Sequence, residues 1–494
     1  MLSRMRTFKL ATYAALAVLG TSTLTSCDKF LNINQSPNAI LVAPSANVLV
    51  ASETSLGFAM GSDLHRFTAL IAQQFAGQGG SGVQPAEYDR YNITTTDVNN
   101  LWRSETFAGN LADMQKLIDQ TQTASPAYAG IAKIMKAYQM LVLTDAFGDI
   151  PFSQALQFDQ NFAPVYDKSD AVYQGLITLL NDGIADLKKQ SLLSPASDDL
   201  IYGGDLNKWT RLANTVKLRI YIHYFPKVST TANTDMAALV AQGSGAFILS
   251  NSENFQLRFE STANRNNPID QFEKSRNNTF FPSATLVTLM NVKSDPRRPV
   301  FLTPFPVGST TYVGATNGTG VVGAANQSFS RMNTYLRGNA TAGTGFNNFD
   351  GTAPIRMLTF AEYNFILAEY YARTGNLTAA QTSYAAGITA SMSDAGVSSA
   401  NISTYLAARP ALTGASAIQS IIEEKFVANF GVAVEPWTDY RRTKFPALTL
   451  PANALNATSI LRILPYSDIE RTSNPNTPAR DNLTTTSVFW DPGA

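Results

Sequence analysis

Cysteine is almost absent from this chain, because its 494 residues include only one, Cys27. A single thiol excludes an intramolecular disulfide. Histidine is nearly as scarce, and His65 and His223 lie far apart without an HExxH motif or a Cys/His cluster around them. We therefore expect no metal site and no cofactor. A Ser-His-Asp triad is not expected either, because no GxSxG motif accompanies the two histidines.

The chain also lacks an excess of either positive or negative charge. The chain has 37 basic and 37 acidic residues, and charged residues make up 15% of it. The usual share in a soluble protein is about a quarter. A balanced charge argues against a nucleic-acid partner. Since amides and hydroxyls supply most of the polarity, a neutral ligand suits this composition best.

Beyond the N-terminal region, the sequence has no uncharged apolar stretch long enough to span a membrane. Near the N-terminus, Arg4, Arg6 and Lys9 precede the apolar stretch LATYAALAVLG at residues 10–20. A membrane-spanning helix needs about 20 apolar residues, so this shorter stretch indicates a secretory signal rather than a span.

The four residues LTSC that end at Cys27 resemble a bacterial lipobox, in which the thiol receives a diacylglyceryl group and the chain is cut before the cysteine. This resemblance implies a signal peptide at residues 1–26. It also implies that the mature protein consists of residues 27–494. Fatty acids such as palmitate, attached to Cys27, would anchor it to a membrane. The alternative is an ordinary cleavage site followed by a small buried cysteine.

Helix-like periodicity dominates the first half of the mature chain. Apolar residues recur there at spacings of three and four, which is typical of helices with one buried face. Trp102 and Trp209 fall within such stripes, and we expect them to pack in the core rather than to stack on sugars. The predicted helices cover residues 46–75, 97–122, 127–147, 169–190 and 206–225, with a later one at 418–430.

One stretch, FAEYNFILAEYYARTGNLTAAQTSYAAGI, resembles a tetratricopeptide hairpin. Small Ala368 permits close helix packing, Tyr371 fills a groove, and Gly375 permits the chain reversal. AYQMLVLTDAFGDIPFSQAL is a weaker copy of the pattern, with Gly148 at the reversal. The predicted fold class is therefore mostly α, with tetratricopeptide-like helical hairpins that carry long irregular loops within a single domain.

Two segments have the composition of loops. Residues 243–351 are rich in Gly, Asn, Thr, Ser and Pro, which predicts long surface loops that carry binding residues; low-complexity disorder is the alternative. The sequence GQGGSG at residues 77–82 matches the dinucleotide-binding pattern GxGxxG. We do not expect it to bind a dinucleotide, because the preceding residues read as helix and Pro85 disfavours an early helix after it.

Adjacent carboxylates occur at Asp198-Asp199 and at Glu423-Glu424. Paired carboxylates serve glycosidases when their spacing is correct, but neighbouring residues on a helix point apart. We therefore expect both pairs to lie on the solvated surface.

Several motifs together resemble the SusD/RagB family of nutrient-binding outer-membrane lipoproteins. After the lipobox, the segments DKFLNINQSPNA, DAFGDIPFSQAL, SDPRRPVF, EPWTDYRRTKFPAL and RILPYSDIERTSNPNTPA follow in the family's order. Each motif also has a structural interpretation: Asp295-Pro296-Arg297 predicts a capped turn, and Trp437 with Arg441 and Arg442 predicts a packed, charge-paired corner.

This resemblance implies a non-enzymatic protein at the cell surface that binds oligosaccharides, or peptides in some branches. It also implies delivery to a SusC-type TonB-dependent outer-membrane transporter. A lipid-anchored glycan-processing enzyme is the alternative, and a tetratricopeptide adaptor for protein partners is a third possibility.

The ligand site is predicted in two loop-like segments that combine aromatic residues, arginines and amides, GQGGSGVQPAEYDRY at residues 77–91 and residues 264–337. Aromatic rings stack on the apolar faces of sugars, and guanidinium and amide groups bind hydroxyls. The stacking candidates are Tyr88, Tyr91 and Tyr312, and the hydrogen-bonding candidates are Gln78, Arg90, Arg276 and Arg337.

Overall fold

The computed structural model describes residues 42–320, 328–342, 348–455, 457–480 and 482–493. Cys27 and the signal predicted around it lie outside these residues. One compact unit extends over Ser45–Ala494. Among the described residues, no helix combines the length and the apolar character that crossing a membrane requires.

The first half of the described chain is built mainly from helices, and several of them begin and end close to the predicted residues. A π-helix at Arg103–Leu111 joins two of these helices end to end. The α-helices are α1 Ser45–Gly61, α2 Asp63–Ile71, α3 Gln84–Asp89, α4 Asn99–Trp102, α5 Ala112–Thr121, α6 Pro126–Phe147, α7 Ser169–Leu187, α8 Leu206–Tyr224 and α9 Ser229–Val240.

The second half alternates short helices with longer hairpin helices. Within the described part of the predicted loop region 243–351 the structure shows four short α-helices, two 3-10 helices and two strands, so this part is less irregular than its composition predicts. The helices are α10 Pro268–Ser275, α11 Ala284–Val292, α12 Arg298–Phe301, α13 Thr334–Arg337, α14 Phe360–Arg373, α15 Leu377–Asp394, α16 Ser399–Ala407, α17 Ala417–Ala428, α18 Glu435–Thr443 and α19 Asp468–Ser473.

The strands form three small antiparallel pairs. Two of the pairs join segments that are far apart in sequence, and they therefore tie loops to the helical scaffold. The strands are β1 Phe75–Gly77 with β5 Phe280–Pro282, β2 Ile150–Pro151 with β3 Tyr166–Asp167, and β4 Phe255–Leu257 with β6 Ile355–Leu358.

Helix α6 lies at the centre of the scaffold, and every one of its residues except Lys133 and Lys136 is buried. It packs against α7 at a close approach between Gly130 and Gly183, where a Cβ atom on Gly130 would lie 2.9 Å from the Gly183 carbonyl oxygen. Trp102 and Trp209 are buried as predicted. The mostly helical prediction is therefore confirmed.

Two predicted helices are interrupted. The segment 46–75 breaks at Ser62 and ends in β1, because the bare backbone at Gly61 lets Ile355 and Pro268 approach; a Cβ there would lie 2.6 Å from each side chain. The segment 97–122 contains the π-helix. Within it, a Cβ on Gly109 would lie 2.2 Å from the Ser104 carbonyl oxygen, so this turn requires glycine.

The tetratricopeptide-like hairpin is confirmed in α14 and α15. These helices pack against each other, and the small residues Ala368 and Ala380 lie buried with Tyr384 in the cluster between them. Gly375 links the helices with φ +82°, and the Asn376 amide donates a 2.8 Å hydrogen bond to the Tyr371 carbonyl. The reversal therefore depends on a left-handed residue.

Replacing Gly375 with valine is expected to destabilise the protein by about 1–2 kcal/mol, because a residue with a Cβ is penalised at positive φ. No atom lies within 4 Å of a Cβ built on Gly375, so steric clash adds nothing. Urea denaturation measures the change. Gly375→Asn is the matched control and should cost less, since asparagine tolerates this conformation; equal stability of Gly375→Val and the parent would contradict the prediction.

The predicted second copy of the hairpin differs from the structure. Helix α6 ends at Phe147, and Gly148 follows with φ +76°, as the pattern indicates. However, the partner helix α7 begins only at Ser169, because the β2–β3 hairpin occupies the chain between them. The glycine therefore ends a helix without forming a tight helical hairpin.

A network of buried charges joins α8, α14, α17 and α18. The Lys425 ammonium lies 2.5 Å from a Glu435 oxygen and 3.0 Å from an Asp439 oxygen. Arg219 donates two 2.7 Å hydrogen bonds to Glu362. All five side chains are buried, so the opposite charges compensate each other inside the core.

The motif that contains Trp437 forms the predicted corner. The Arg441 guanidinium lies 3.9 Å from the Trp437 ring centroid, and Arg442 pairs with Glu369 and Asp439. Both interactions are buried. The interpretation of this motif as structural is confirmed.

One member of each adjacent carboxylate pair is buried, contrary to the prediction, whereas the other member of each pair is half-buried. Asp199 is buried and accepts a 2.8 Å hydrogen bond from the Trp209 indole. Glu424 is buried and pairs with Arg297 at 3.0 Å, and Arg297 also binds Asp295 in the predicted capped turn. Since these carboxylates have partners in the core, they hold the fold together.

Candidate functional site

The structure brings together the two segments that were predicted to bind ligand. Strand β1 pairs with β5 over Phe75↔Pro282 to Gly77↔Phe280. Beyond this pair, the Arg276 guanidinium donates a 2.6 Å hydrogen bond to the Gln84 side-chain oxygen. The GQGGSG loop and the first part of the predicted segment 264–337 therefore lie side by side.

The local structure around GQGGSG differs from the prediction. A strand precedes the loop, and α3 begins directly after it at Gln84 with Pro85 in its first turn, a position that suits proline because it has no amide hydrogen to donate. The strand belongs to a two-stranded antiparallel pair. Dinucleotide-binding folds need a parallel βαβ unit, so this glycine-rich loop does not form a dinucleotide-binding site.

A cavity of about 450 Å³ opens where these segments meet, and we call it the polar cavity. Helices α2, α3, α4 and α10 and the π-helix form its walls. Gln84, Asn100 and Arg276 are exposed at its rim. The lining residues are Asp63, Arg66, Gln84, Tyr88, Thr96, Asp97, Asn100, Glu105, Phe272, Ser275 and Arg276.

One aromatic ring in the wall contacts two positive charges. The Arg66 guanidinium lies 4.6 Å from the centroid of the Phe272 ring, and the Arg276 guanidinium lies 5.7 Å from it. Arg66 also forms an ion pair with Asp63. These contacts hold both guanidinium groups beside an apolar surface.

Acceptor groups lie on the wall formed by α3 and α4. The Tyr88 hydroxyl donates a 2.9 Å hydrogen bond to Asp97. The second Asp97 oxygen accepts hydrogen bonds from the backbone amide and the hydroxyl of Thr94 at 2.8 and 2.6 Å. Asp97 is therefore held in one orientation at the cavity wall.

Glu105 has an unusual environment in the π-helix. Burial, together with the nearby negative charge of Asp63, raises the pKa of Glu105 to about 8, although Arg66 opposes this effect. One of its carboxyl oxygens is buried without a hydrogen-bond partner among the described residues. The raised pKa favours the protonated, neutral form of this carboxyl.

The polar cavity offers donors and acceptors in close proximity around the edge of an aromatic ring. Guanidinium, amide and hydroxyl groups donate, whereas carboxylate and amide oxygens accept. A molecule with many hydroxyl groups and an apolar face matches this arrangement, because each hydroxyl both donates and accepts.

Two of the seven predicted ligand residues, Tyr88 and Arg276, line the polar cavity. Arg90 lies nearby but pairs with Glu87 at 2.7 Å. Gln78 belongs to the glycine-rich loop and is completely buried. Neither Arg90 nor Gln78 is among the described residues that line the cavity.

The other three predicted residues lie outside the lining of the polar cavity. Tyr91 is 5% exposed. Arg337 is 2% exposed, binds Asp270 at 2.8 Å and lies 4.3 Å from the Phe349 ring centroid, in the lining of a separate cavity. Tyr312 is half-buried with its ring 5.4 Å from the Arg298 guanidinium. The structure therefore does not bring all seven predicted residues to one place.

Nine lining residues were not predicted by the sequence reasoning: Asp63, Arg66, Gln84, Thr96, Asp97, Asn100, Glu105, Phe272 and Ser275. Five of them lie on the predicted helical segments 46–75 and 97–122. The pattern predicts which face of a helix is buried, but it does not show that the opposite faces of several helices converge. In the sequence, the cluster of polar residues around Asp97 and Asn100 was the signal that could have indicated this part of the cavity.

An apolar groove of about 430 Å³ lies on the other side of the π-helix, which contributes Phe107 to it and Glu105 to the polar cavity. Phe162 is 81% exposed at this groove. Phe158, also in its lining, has φ +52°, a strained conformation for a residue with a Cβ. We call it the aromatic groove.

The two histidines lie in different buried environments. Burial, with a contribution from Arg66, lowers the pKa of His65 to about 3. Although burial opposes it, the charges of Glu435 and Asp145 raise the pKa of His223, whose Nε2 lies 3.1 Å from Glu435. No group of three metal-ligating side chains occurs within the described ranges.

Comparison with known proteins gives consistent matches. A SusD-like family model, described as starch-binding and associating with the outer membrane, matches residues 37–466. Among curated protein sequences, none matches the chain.

Solved structures with similar folds have low sequence identity to this chain. A chitin-binding protein is 23% identical with a TM-score of 0.76, covering 91% of this chain and 100% of its own. A chitin-binding SusD homologue from Flavobacterium johnsoniae is 22% identical with a TM-score of 0.75, covering 91% and 99%. A SusD homologue from Bacteroides uniformis is 21% identical with a TM-score of 0.74, covering 90% and 98%. At these identities the likeness shows a shared fold.

Proposed function

The chain belongs to the SusD/RagB family, and from this premise we propose that it captures oligosaccharides at the cell surface without transforming them. The single observation that carries the proposal is the polar cavity, which surrounds the Phe272 ring with guanidinium, amide and carboxylate groups. The first ligands to test are starch and chitin fragments, because the family description names starch and two relatives of similar fold are described as chitin-binding.

The proposed binding mode follows from the positions of these groups. A sugar ring covers the Phe272 ring with its C–H face. Its hydroxyls accept hydrogen bonds from Arg276 and the Asn100 amide and donate to Asp97. Since Arg276 and Asn100 are exposed at the rim, the ligand reaches both without opening the core. Tyr88 orients Asp97 in this arrangement.

We expect Arg276→Ala and Asn100→Ala, made singly, each to weaken binding of the identified oligosaccharide. Loss of a hydrogen bond to a charged group costs about 1.5 kcal/mol or more, which corresponds to roughly a tenfold rise in Kd for the arginine variant. A neutral amide contributes about 1 kcal/mol. Isothermal titration calorimetry measures both changes. Alanine at the buried Tyr88 or Tyr91 is a less suitable test, because it would disturb packing.

Arg265→Ala is the matched control, since Arg265 belongs to the same segment and its side chain is 69% exposed. It should bind like the parent. Phe162→Ala tests the other location. If Phe162→Ala abolishes binding while Arg276→Ala and Asn100→Ala have no effect, the ligand lies in the aromatic groove and the assignment to the polar cavity is wrong.

The proposal includes attachment to the outer membrane through lipid on Cys27 and delivery of the captured ligand to a SusC-type TonB-dependent transporter. The lipobox resemblance and the family's description as associating with the outer membrane support the attachment. Co-purification with SusC-type transporters of the same organism tests the delivery step, and failure of the protein to associate with any of them would contradict it.

A lipid-anchored glycan-processing enzyme is the second candidate, and one observation favours it. The polar cavity holds a carboxyl of raised pKa, Glu105, near the carboxylate of Asp63, and glycosidases use an acid and a carboxylate in this way. However, Asp63 is already paired with Arg66. Prolonged incubation with oligosaccharides, followed by chromatography, separates the candidates: intact ligand supports capture, whereas product that disappears in Glu105→Gln supports the enzyme.

A further inference from the structure

A second cavity, of about 540 Å³, lies between α7, α8, α9 and the C-terminal Phe489. We call it the aromatic cleft. It is formed by other helices than the polar cavity, and the two cavities share no lining residue. Its walls carry four aromatic rings, those of Tyr173, Tyr221, Tyr224 and Phe489.

The rings are arranged as a cage rather than as a flat stack. Tyr221 and Tyr224 have centroids 5.9 Å apart at an interplanar angle of 76°. Tyr173 and Phe489 are 5.0 Å apart at 79°, and Tyr224 lies 6.1 Å from Phe489. Since all four rings line the same cavity, their differing orientations surround it with aromatic surface from several directions.

Two carboxylates lie at the same cleft. Asp235 accepts a 3.0 Å hydrogen bond from the Tyr224 hydroxyl, and Asp170 is exposed in the first turn of α7. Neither forms an ion pair among the described residues, and Lys168, which is close in sequence, pairs with Asp149 instead. The cleft lining described by the structure contains no lysine, arginine or histidine.

The tyrosines carry no positive charge that could neutralise these carboxylates, although the Tyr224 hydroxyl donates a hydrogen bond to Asp235. The cleft therefore combines a negative charge with aromatic faces, and both features attract a cation. Aromatic cages with nearby carboxylates are the characteristic sites for organic ammonium groups, which bind within about 6 Å of ring centroids.

We propose that the aromatic cleft binds an organic ammonium group, held by cation–π contacts with Tyr221, Tyr224 and Phe489 and by the charges of Asp235 and Asp170. The ammonium group can belong to a free alkylated amine or to an amino sugar within a glycan. Either source presents a positive charge on a partly apolar group, which is the chemistry that the cleft recognises.

The test compares charged probes with neutral probes of the same shape, using the full-length mature protein. Choline is compared with 3,3-dimethylbutan-1-ol, and oligomers of glucosamine are compared with oligomers of N-acetylglucosamine, by calorimetry and by ligand-observed NMR. We expect the charged member of at least one pair to bind about tenfold more tightly than its neutral partner. Binding of choline indicates a free amine, whereas binding of the glucosamine oligomer alone indicates an amino sugar.

Variants locate the binding in the cleft. Asp235→Asn and Tyr224→Leu should each weaken the charged probe by about tenfold, while circular dichroism confirms that they fold. Asp182→Asn removes a charge of the same sign from an exposed position on α7, one of the helices that form the cleft, but outside the cleft lining, and should have no effect. Choline that binds no more tightly than its neutral analogue together with a glucosamine oligomer whose binding is unchanged by Asp235→Asn, or no binding of either charged probe up to tens of millimolar, would overturn the proposal.

Discussion

Replacing Lys425 with alanine is expected to destabilise the protein by about 3–5 kcal/mol, because removal of one partner leaves buried charges uncompensated. The Lys425 ammonium lies 2.5 Å from Glu435, 3.0 Å from Asp439 and 3.9 Å from Glu362. Despite its burial, these carboxylates raise the pKa of Lys425 above its ordinary value. Urea denaturation followed by tryptophan fluorescence measures the loss.

An exposed lysine provides the control. Lys116 pairs with Asp113 at 3.9 Å while its side chain is 56% exposed, so Lys116→Ala should change stability by less than about 0.5 kcal/mol. The double variant Lys425→Met with Glu435→Gln should lose less free energy of unfolding than the two single variants lose in sum, since it removes a cation and an anion together. A Lys425→Ala protein as stable as the parent would show that the network does not stabilise the core.

Removing the thiol of Cys27 should shift the protein completely from the membrane fraction to the soluble fraction. Each buried methylene contributes about 0.8 kcal/mol to membrane attachment, and two or more acyl chains make attachment stable. No described helix could replace the lipid as a membrane span. The comparison uses Cys27→Ala exported from a conventional cleavable signal peptide, so that an uncut signal does not hold the chain on the membrane.

Fractionation is combined with metabolic labelling by an alkyne fatty acid, which reports lipidation directly. Asn34→Ala, outside the LTSC sequence, is the matched control and should remain labelled and membrane-bound. If Cys27→Ala sediments with membranes and is labelled like the control, the lipobox interpretation is wrong. Since the cysteine lies outside the compact unit that begins at Ser45, the variant should bind the oligosaccharide normally in solution.

The helices of the scaffold could be predicted from sequence because burial imposes a period on apolar residues. The predicted helix at residues 169–190 corresponds to α7 at Ser169–Leu187, and the one at 206–225 corresponds to α8 at Leu206–Tyr224. Interruptions were missed where a close contact from elsewhere in the fold decides the local structure. Gly61 is an example, since its need for glycine comes from Ile355 and Pro268.

The candidate site could be predicted only in part, because the same residue types serve packing and binding. Arg276 and Arg337 have the same loop-like sequence context. However, Arg276 reaches the rim of the polar cavity, whereas Arg337 pairs with Asp270 in the core. The difference depends on which carboxylate the fold places within reach, and a local sequence pattern does not contain that information.

The polar cavity joins parts of the chain that are distant in sequence, since α3 and the π-helix form one side and α10 forms the other, with β1 and β5 paired beneath. A molecule bound there acts as a non-covalent crosslink between these parts, and it can bind only after both have folded. Ligand that binds the native state alone stabilises it by RT ln(1 + [L]/Kd), which is about 2.7 kcal/mol at a hundredfold excess over Kd. The natural oligosaccharide can therefore be identified from a glycan library by the rise that it produces in the unfolding temperature.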